Sequence, residues 1–328
     1  MNQVIQDIRA RAAAQSKRIV LAETDDVRVL KAASFLAKEQ ICEVVLTGDE
    51  EAIFKLADEN GIKLSSGVRV ISPLKSDVKE ELTAHLLEHL KHKNISRSEA
   101  KEMLKNPLYF AAGLVATGRA DGCVAGSIAT TGEVIRAAIH SLGLRSGNNT
   151  VSSTFLMALK DGKVLTYADC GVVPYPDAHQ LADIAVESAR THQLLTEEDP
   201  VIAMLSFSTK GSASHERVEF VKEALELAQQ KAPELSIDGE LQFDAAFVPK
   251  VAGRKAPGSK VAGKANVFIF PNLDAGNIAY KITERLAGAS ATGPILQGLA
   301  KPIMDLSRGC NWQDIINAAA VAALMGEE

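Results

Sequence analysis

The chain is 328 residues long, 46% apolar and 23% charged, the balance of an ordinary globular protein with room for two lobes. Its net charge of −5 and 5% aromatic content leave no basic excess to neutralise phosphates and few rings to stack on bases, which excludes nucleic acid and a membrane surface as partners. Four cysteines without a CxxC pair, and no apolar run of the about 20 residues that a bilayer span needs, point to reduced thiols in a cytoplasmic chain.

Met1 to Gln15 mixes Asp7, Arg9 and Arg11 among apolar residues and reads as a helix rather than a signal peptide. Arg18–Ala22 is a β-branched run leading to a helix over Asp26–Glu39, and Glu43–Leu46 leads to one over Glu50–Glu59. Val68–Ile71 precedes a helical region reaching Gly118; Asp121–Ala125 is the next strand and Thr131–Leu142 the next helix. This alternation predicts a parallel sheet with helices on both faces. Around Ser146–Asn149 the pattern changes. Ser153–Leu159 and Val164–Ala168 read as a hairpin turning on Asp161-Gly162. Then come helix Ala178–His192, strand Val201–Phe207, helix Glu216–Lys231, a segment rich in glycine and proline, strand Asn266–Phe270 and helix Gly276–Ala287. The last helix, Trp312–Met325, is expected to return to the first lobe. The predicted class is α/β, two doubly wound lobes with a mainly parallel sheet each: residues 1–145 plus 303–328 form the first domain and 146–302 the second.

Open parallel sheets bind ligands at the carboxyl ends of their strands. Four loops in such positions share hydroxyls, glycines, amides and a nearby cation, the parts of a phosphate or carboxylate site. The first holds Ser127, Thr130 and Thr131 and opens the helix with Arg136; the second is Ser206–Ser212. The third holds Asn272 and opens the helix with Lys281 and Arg285. The fourth is Asp305–Asp314, with Ser307, Arg308 and Gly309 at the start of the last helix, where unpaired N–H groups already favour an anion. Asp314 either caps that helix with Asn311 or acts as a base on what is held there. Arg136 alone would also suit a surface ion pair, and Cys310, with no evident histidine partner, reads as a packed thiol.

Near matches fail on context. Gly258–Ala265 (GSKVAGKA) fits GxxxxGK but lacks the following hydroxyl and precedes a strand, so it reads as a surface loop. No GxGxxG follows a strand. His85-Leu86-Leu87-Glu88-His89 fits HxxEH on a charged helix without a third ligand, so no metal is expected.

The long segments DGCVAGSIATTGEVIR (121–136), MLSFSTKGSA (204–213), IDGELQFDAAFVPKVA (237–252), APGSKVAGKANVFIFPNLDAGNIAYKITERLAG (256–288) and GPILQGLAKPIMDLSRGCNWQD (293–314) are specific. In them the chain resembles the phosphate acetyltransferase family, over nearly its whole length. The resemblance implies interconversion of acetyl-CoA plus phosphate with acetyl phosphate plus CoA, with coenzyme A as a substrate and no cofactor. It implies two isocitrate/isopropylmalate dehydrogenase-like lobes with the active site in the cleft between them, in a homodimer. On matching positions it makes Arg308 and Arg136 the holders of phosphate and acyl groups, Ser307 a hydrogen-bonding group at the thiol or acyl centre, and Asp314 the base for the CoA thiol. Ser127, Thr130, Thr131, Asn272, Lys281 and Arg285 are the further substrate-binding candidates. Two positions depart from the family pattern. Ala129-Thr130 stands where many members have His-Ser, and an arginine expected before the basic stretch Leu90-Lys91-His92-Lys93 is missing. Lys91 cannot reproduce a bidentate guanidinium clamp.

An ordinary thiol and an ordinary aspartate differ by about 4.6 pKa units, roughly 6 kcal/mol against proton transfer. Such a pair works only where a cation and a helix N-terminus stabilise the thiolate, as Arg308 would. General-base catalysis supplies about 10²–10⁴-fold; the rest falls to the arginines and to alignment in a ternary complex, without an acyl-enzyme. A phosphate butyryltransferase differs only in acyl-pocket volume, a discrimination of about 1–3 kcal/mol per methylene. A non-catalytic acetyl-CoA-sensing module is disfavoured by the joint presence of Ser307, Arg308, Arg136 and Asp314.

Overall fold

A computed structural model describes residues 3–65, 67–73 and 78–326; the parts of the predicted domains at 1–2, 66, 74–77 and 327–328 lie outside the described residues. The chain divides into two compact units, an N-terminal unit of Ile5–Ser146 with Leu299–Glu328 and a middle unit of Gly147–Gly298 with Met1–Val4. The predicted boundary at 302/303 thus moves to Gly298. Leu299 bridges to Leu144, and the Ala300 N–H donates to the Gly143 carbonyl, so this stretch already belongs to the N-terminal unit.

The N-terminal unit runs α1 (Gln3–Ala13), β1 (Arg18–Leu21), α2 (Val27–Lys38), β2 (Glu43–Thr47), α3 (Glu50–Glu59), β3 (Val68–Ile71), α4 (Val78–His89), a 3-10 turn at Lys91–Lys93, α5 (Arg97–Met103), α6 (Pro107–Ala116), β4 (Gly122–Ala125) and α7 (Thr131–Ser141). The middle unit contributes β5 (Ser152–Ala158), β6 (Val164–Ala168), α8 (Ala178–Thr196), β7 (Val201–Leu205), α9 (Glu216–Lys231), β8 (Ser236–Leu241), α10 (Phe243–Phe247), α11 (Pro249–Lys255), β9 (Val267–Ile269), α12 (Leu273–Ala287) and β10 (Ser290–Gln297). The chain then returns with β11 (Ile303–Asp305) and α13 (Trp312–Met325).

In the N-terminal unit five strands lie in the order β11-β4-β1-β2-β3. Every pair is parallel, Ile19 opposite Gly122 and Val44, and Asp305 opposite Ala125. Strands buried on both faces must be apolar throughout, which is why β1 and β4 read as short continuous runs rather than alternating ones. Helices α2 and α13 pack together against the sheet, while α4, α6 and α7 form a second helical layer. Side-chain caps fix where these helices begin: Asp26 accepts the Arg28 N–H, Asp49 that of Ala52, and Asn106 that of Leu108 just before Pro107. All five carboxyl ends therefore share one edge of the sheet.

The middle unit has a six-stranded sheet, β10-β5-β6-β9-β7-β8, antiparallel at the β10-β5-β6 end and parallel in the remainder. One core packs α8 and α9 against the sheet through Ile184, Ala185, Val221 and Met204; the opposite core gathers Phe155, Tyr167 and Phe268 with α10 and α11. Three expectations are refined here. The glycine- and proline-rich segment contains β8, α10 and α11. The stretch Gly258–Ala265 is a loop with Gly258, Lys260 and Lys264 exposed, but Val261, Ala262 and Ala265 anchor it in the second core. Helix α12 starts at Leu273 rather than Gly276, since Asn272 Oδ1 accepts the Ala275 N–H at 3.0 Å and caps it there.

Candidate active site

Strand β1 lies beside β4, and β4 beside β11, so the loops leaving all three meet at one point of the sheet edge. Glu23, the second residue beyond β1, is only 5% exposed. Its Oε2 accepts the Ser127 N–H at 2.7 Å and the Ser127 hydroxyl at 3.0 Å; its Oε1 accepts the N–H groups of Ile128 at 3.1 Å and Ala129 at 2.6 Å. Successive backbone N–H groups curled around one carboxylate form an anion nest. The loop after β4 is thus an anion site, but the anion is the protein's own.

Ser127, one of the expected substrate-binding residues, is buried with its N–H and hydroxyl both committed to Glu23. Thr130 is likewise committed: with Glu133 it forms a capping box at the start of α7, its N–H and hydroxyl each donating to Glu133 Oε2 at 2.8 Å. The Thr131 hydroxyl donates to Asp305 Oδ2 at 2.5 Å, tying α7 to the end of β11. All three hydroxyls thus donate to a carboxylate of the protein itself.

A residue that the sequence reading passed over ties the fourth loop to the first. Arg28, in the first turn of α2, pairs with Asp26 at 2.6 Å. The same guanidinium donates to three carbonyls, Ser127 at 2.9 Å, Arg308 at 2.9 Å and Cys310 at 2.7 Å. One planar fork thereby fixes the Arg308–Cys310 turn against the Ser127 loop. Its only sequence signal was a lone arginine two residues after a cap. Cys310 is 8% exposed, and burial pushes its thiol up, against the opposing pull of Arg28. A buried, protonated thiol is a packing group and a poor nucleophile.

What this frame presents outward is Ser307, Arg308, Arg136 and Asp314, all exposed. Neither the Arg308 nor the Arg136 guanidinium makes a hydrogen bond or ion pair among the described residues. The charges of both act on Glu133, whose carboxyl is held below the usual range first by the Thr130 N–H and hydroxyl, then by the fields of Arg136 and Arg308. The two arginines, 172 positions apart in the sequence, therefore share one patch beside the start of α7. The Ser307 hydroxyl oxygen accepts the Gly309 N–H at 3.2 Å, which leaves its hydrogen to donate. Asp314 does cap: Oδ2 accepts the Asn311 N–H at 2.8 Å in a capping box opening α13. Capping and a base role are compatible, because the cap engages one carboxylate oxygen.

In the middle unit, the Ser206–Ser212 loop repeats the internal-anion pattern, with the Ser208 hydroxyl and Gly211 N–H each donating to Glu240 Oε1 at 2.8 Å. Asn272 is a helix cap. Lys281 lies over the Tyr280 ring at 4.1 Å, and Arg285 is 3.6 Å from Glu284. Elsewhere in the N-terminal unit, Lys91 is ion-paired with Glu88 at 2.6 Å. His85 Nε2 lies 2.7 Å from the Ser141 carbonyl, and among the described residues no His, Cys, Asp and Glu group is placed to hold a metal. A cavity of about 760 Å³ opens over the carboxyl ends of β1–β3. Asp25, Asp49 and Glu133 on its wall outnumber Lys105, which makes it a poor seat for a polyanion.

A family profile described as Phosphate acetyl/butaryl transferase matches residues 3–323. The phosphate acetyltransferase of Acetivibrio thermocellus is 46% identical over 98% of both chains, and that of Thermoanaerobacterium thermosaccharolyticum 45% over 99% of both. Among solved structures, the EutD phosphotransacetylase from Staphylococcus aureus superposes with a TM-score of 0.93 at 42% identity over 98% of each chain. A putative 4-hydroxythreonine-4-phosphate dehydrogenase from Salmonella typhimurium shares the fold alone, at a TM-score of 0.54 and 11% identity, covering 95% of this chain and 99% of its own.

Two outcomes follow from the frame. Glu23→Gln turns an amide NH2 toward the N–H donors of 127–129 and should lower unfolding free energy by about 1–3 kcal/mol in a urea titration. Arg28→Lys cannot bridge Asp26 and three carbonyls; deuterium exchange of the 308–310 amides should become about tenfold faster or more, the equivalent of about 1.4 kcal/mol.

Proposed function

Because the chain belongs to the phosphate acetyl/butaryl transferase family, we propose that it catalyses acetyl-CoA + phosphate = CoA + acetyl phosphate, by direct transfer in a ternary complex. The observation that carries this reading is the pair of uncommitted guanidinium groups, Arg308 and Arg136, on a sheet edge whose other anion-binding loop is already filled by Glu23. A phosphate dianion is the ligand such a pair fits, since arginine forks match its oxygens.

In the forward direction a phosphate oxygen held by the arginines attacks the thioester carbonyl carbon. The carbonyl oxygen gains negative charge, which the guanidinium groups and the Ser307 hydroxyl offset. As the C–O bond forms the C–S bond breaks, and the hydrogen carried by phosphate passes to the departing sulfur through the free carboxylate oxygen of Asp314. In reverse, Asp314 takes the thiol hydrogen and the thiolate attacks acetyl phosphate. No covalent enzyme intermediate is needed, in keeping with the buried, protonated Cys310. Asn272, Lys281 and Arg285 are proposed substrate contacts on the middle unit, Asn272 through its amide nitrogen. CoA and phosphate are substrates; no resident cofactor or metal is part of the scheme.

The finer assignments of setting and assembly rest on two features. All four cysteines are free and buried, which suits the reducing cytoplasm. On α12, Ile278, Ile282 and Leu286, spaced by one turn each, are 57%, 52% and 84% exposed. An outward apolar stripe of that kind is suited to burial against a second copy of the chain, giving a homodimer.

The direct assay is CoA-dependent consumption of acetyl phosphate, run against butyryl phosphate for acyl preference. Arg308→Ala should lower kcat/KM about 10²–10³-fold with unfolding free energy unchanged within about 0.5 kcal/mol; near-normal turnover removes Arg308 from the mechanism. Leu286→Glu should shift the chain from dimer to monomer in sedimentation analysis, while an unaltered dimer places the interface elsewhere.

A further inference from the structure

Asp305 is the last residue of β11, two positions ahead of Ser307, and is 2% exposed. Its Oδ2 accepts the Thr131 hydroxyl at 2.5 Å, a length typical of a charge-assisted bond, while Oδ1 is buried without a hydrogen bond of ordinary geometry among the described residues. Room for that oxygen exists because residue 126 is glycine: a Cβ there would collide with Asp305 Oδ1 and with the Leu306 backbone. A buried, half-satisfied carboxylate is unfavourable for folding, and an asparagine of the same shape would avoid the charge. Its placement between the two arginine-bearing elements suggests what the charge is for. Thr131 is the first residue of α7, which carries Arg136, and Asp305 leads directly into the turn that carries Arg308.

We infer that Asp305 is a positioning residue of the transfer site, whose ionised carboxylate binds the first turn of α7 to the end of β11 and so sets Arg136 relative to Ser307 and Arg308. This inference rests on the proposed function for its purpose, though not for its geometry.

The ionisable groups on the surrounding elements are Glu23 and Asp26 after β1, Arg28 on α2, Cys123 on β4, Glu133 and Arg136 on α7, Arg308 and Cys310 in the adjoining turn, and Asp314 on α13. Burial, the largest influence, and the charge of Glu23 push the Asp305 carboxyl up; the Thr131 hydroxyl and Leu306 N–H oppose them, and the balance lies at about 6. Two consequences have opposite signs. The charged clamp exists above about pH 6 and is lost as pH falls through that value. Stability runs the other way: ionising a carboxyl that is raised in the folded state disfavours folding above about 6, and the penalty is gone below the ordinary value of 3.8.

Asp305→Asn is therefore expected to be less active and more stable at once. At pH 8, kcat/KM for phosphate should fall about tenfold to a hundredfold, the midpoint of thermal unfolding should rise by a few degrees, and the acid limb near pH 6 in the rate profile should disappear. Thr131→Val should reproduce the activity loss and Thr131→Ser should restore it. A role confined to the fold predicts the reverse for the midpoint, a fall with no change in the pH limb, and that result overturns the inference. So does wild-type kcat/KM with an intact limb in Asp305→Asn. A wild-type protein without phosphate-dependent acetyl-CoA cleavage overturns the proposed function and the positioning role together, whereas an active wild type with an indifferent Asp305→Asn overturns the positioning role alone.

Discussion

The Glu23 carboxylate, gathered by three successive backbone N–H groups and one hydroxyl, is the constraint on which the rest of the N-terminal unit's edge depends. It holds the loop after β4 in one conformation, that loop offers its Ser127 carbonyl to Arg28, and Arg28 in turn fixes the carbonyls of residues 308 and 310. Hydrogen bonds to charged groups are worth about 1.5–3 kcal/mol each, and removing one partner leaves the others buried and unsatisfied. The chain of contacts therefore behaves as a unit. Its product is a small rigid platform from which two guanidinium groups project with no hydrogen bond or ion pair among the described residues.

This arrangement also separates two uses of the same chemistry. Loop donors at the carboxyl ends of strands are satisfied internally, by Glu23 in the N-terminal unit and by Glu240 in the middle unit. In the proposed reaction the arginines carry the affinity for an external anion. A nest filled from within cannot compete for substrate, which on the proposed scheme leaves phosphate to the side chains that can also meet charge developing in the transition state. Asp305 shows the opposite economy: a carboxylate with an unmet oxygen is kept beneath the site, where a fully satisfied network would have been more stable.

Much of the fold was legible in the sequence. Helices over Glu50–Glu59, Glu216–Lys231 and Trp312–Met325 and the strand Val68–Ile71 match residue for residue, because capping side chains and apolar runs are local signals. Strands β8, β10 and β11 were not legible. Ile-Asp-Gly-Glu-Leu and Ala-Thr-Gly-Pro-Ile carry turn residues inside the strand, and their extended form is imposed by neighbours distant in the sequence. At the site, the residue types in the four loops pointed to anion binding, and in two of them the anion is a carboxylate of the protein itself; the resemblance singled out Ser307, Arg308, Arg136 and Asp314, which the structure leaves exposed. Sequence could not tell an external anion from Glu23, since the carboxylate that fills the nest lies about a hundred positions away. Arg28 was invisible for the same reason: its partners lie in two loops joined only in three dimensions.

The order in which the polypeptide leaves the ribosome gives one consequence of the returning β11 and α13. Strand β11 completes the β4 edge of a sheet whose other four strands were made before residue 126. During synthesis of the intervening 147–298 unit, that edge has an open ladder of amides and carbonyls, and the turn bearing Arg308 does not yet exist. Translation thus delivers the Arg308 turn only after Glu23, Arg28 and the Ser127 loop that fix it have been made. A nascent chain stalled between β4 and β11 would have an adhesive strand edge and would lack the turn that carries Ser307 and Arg308.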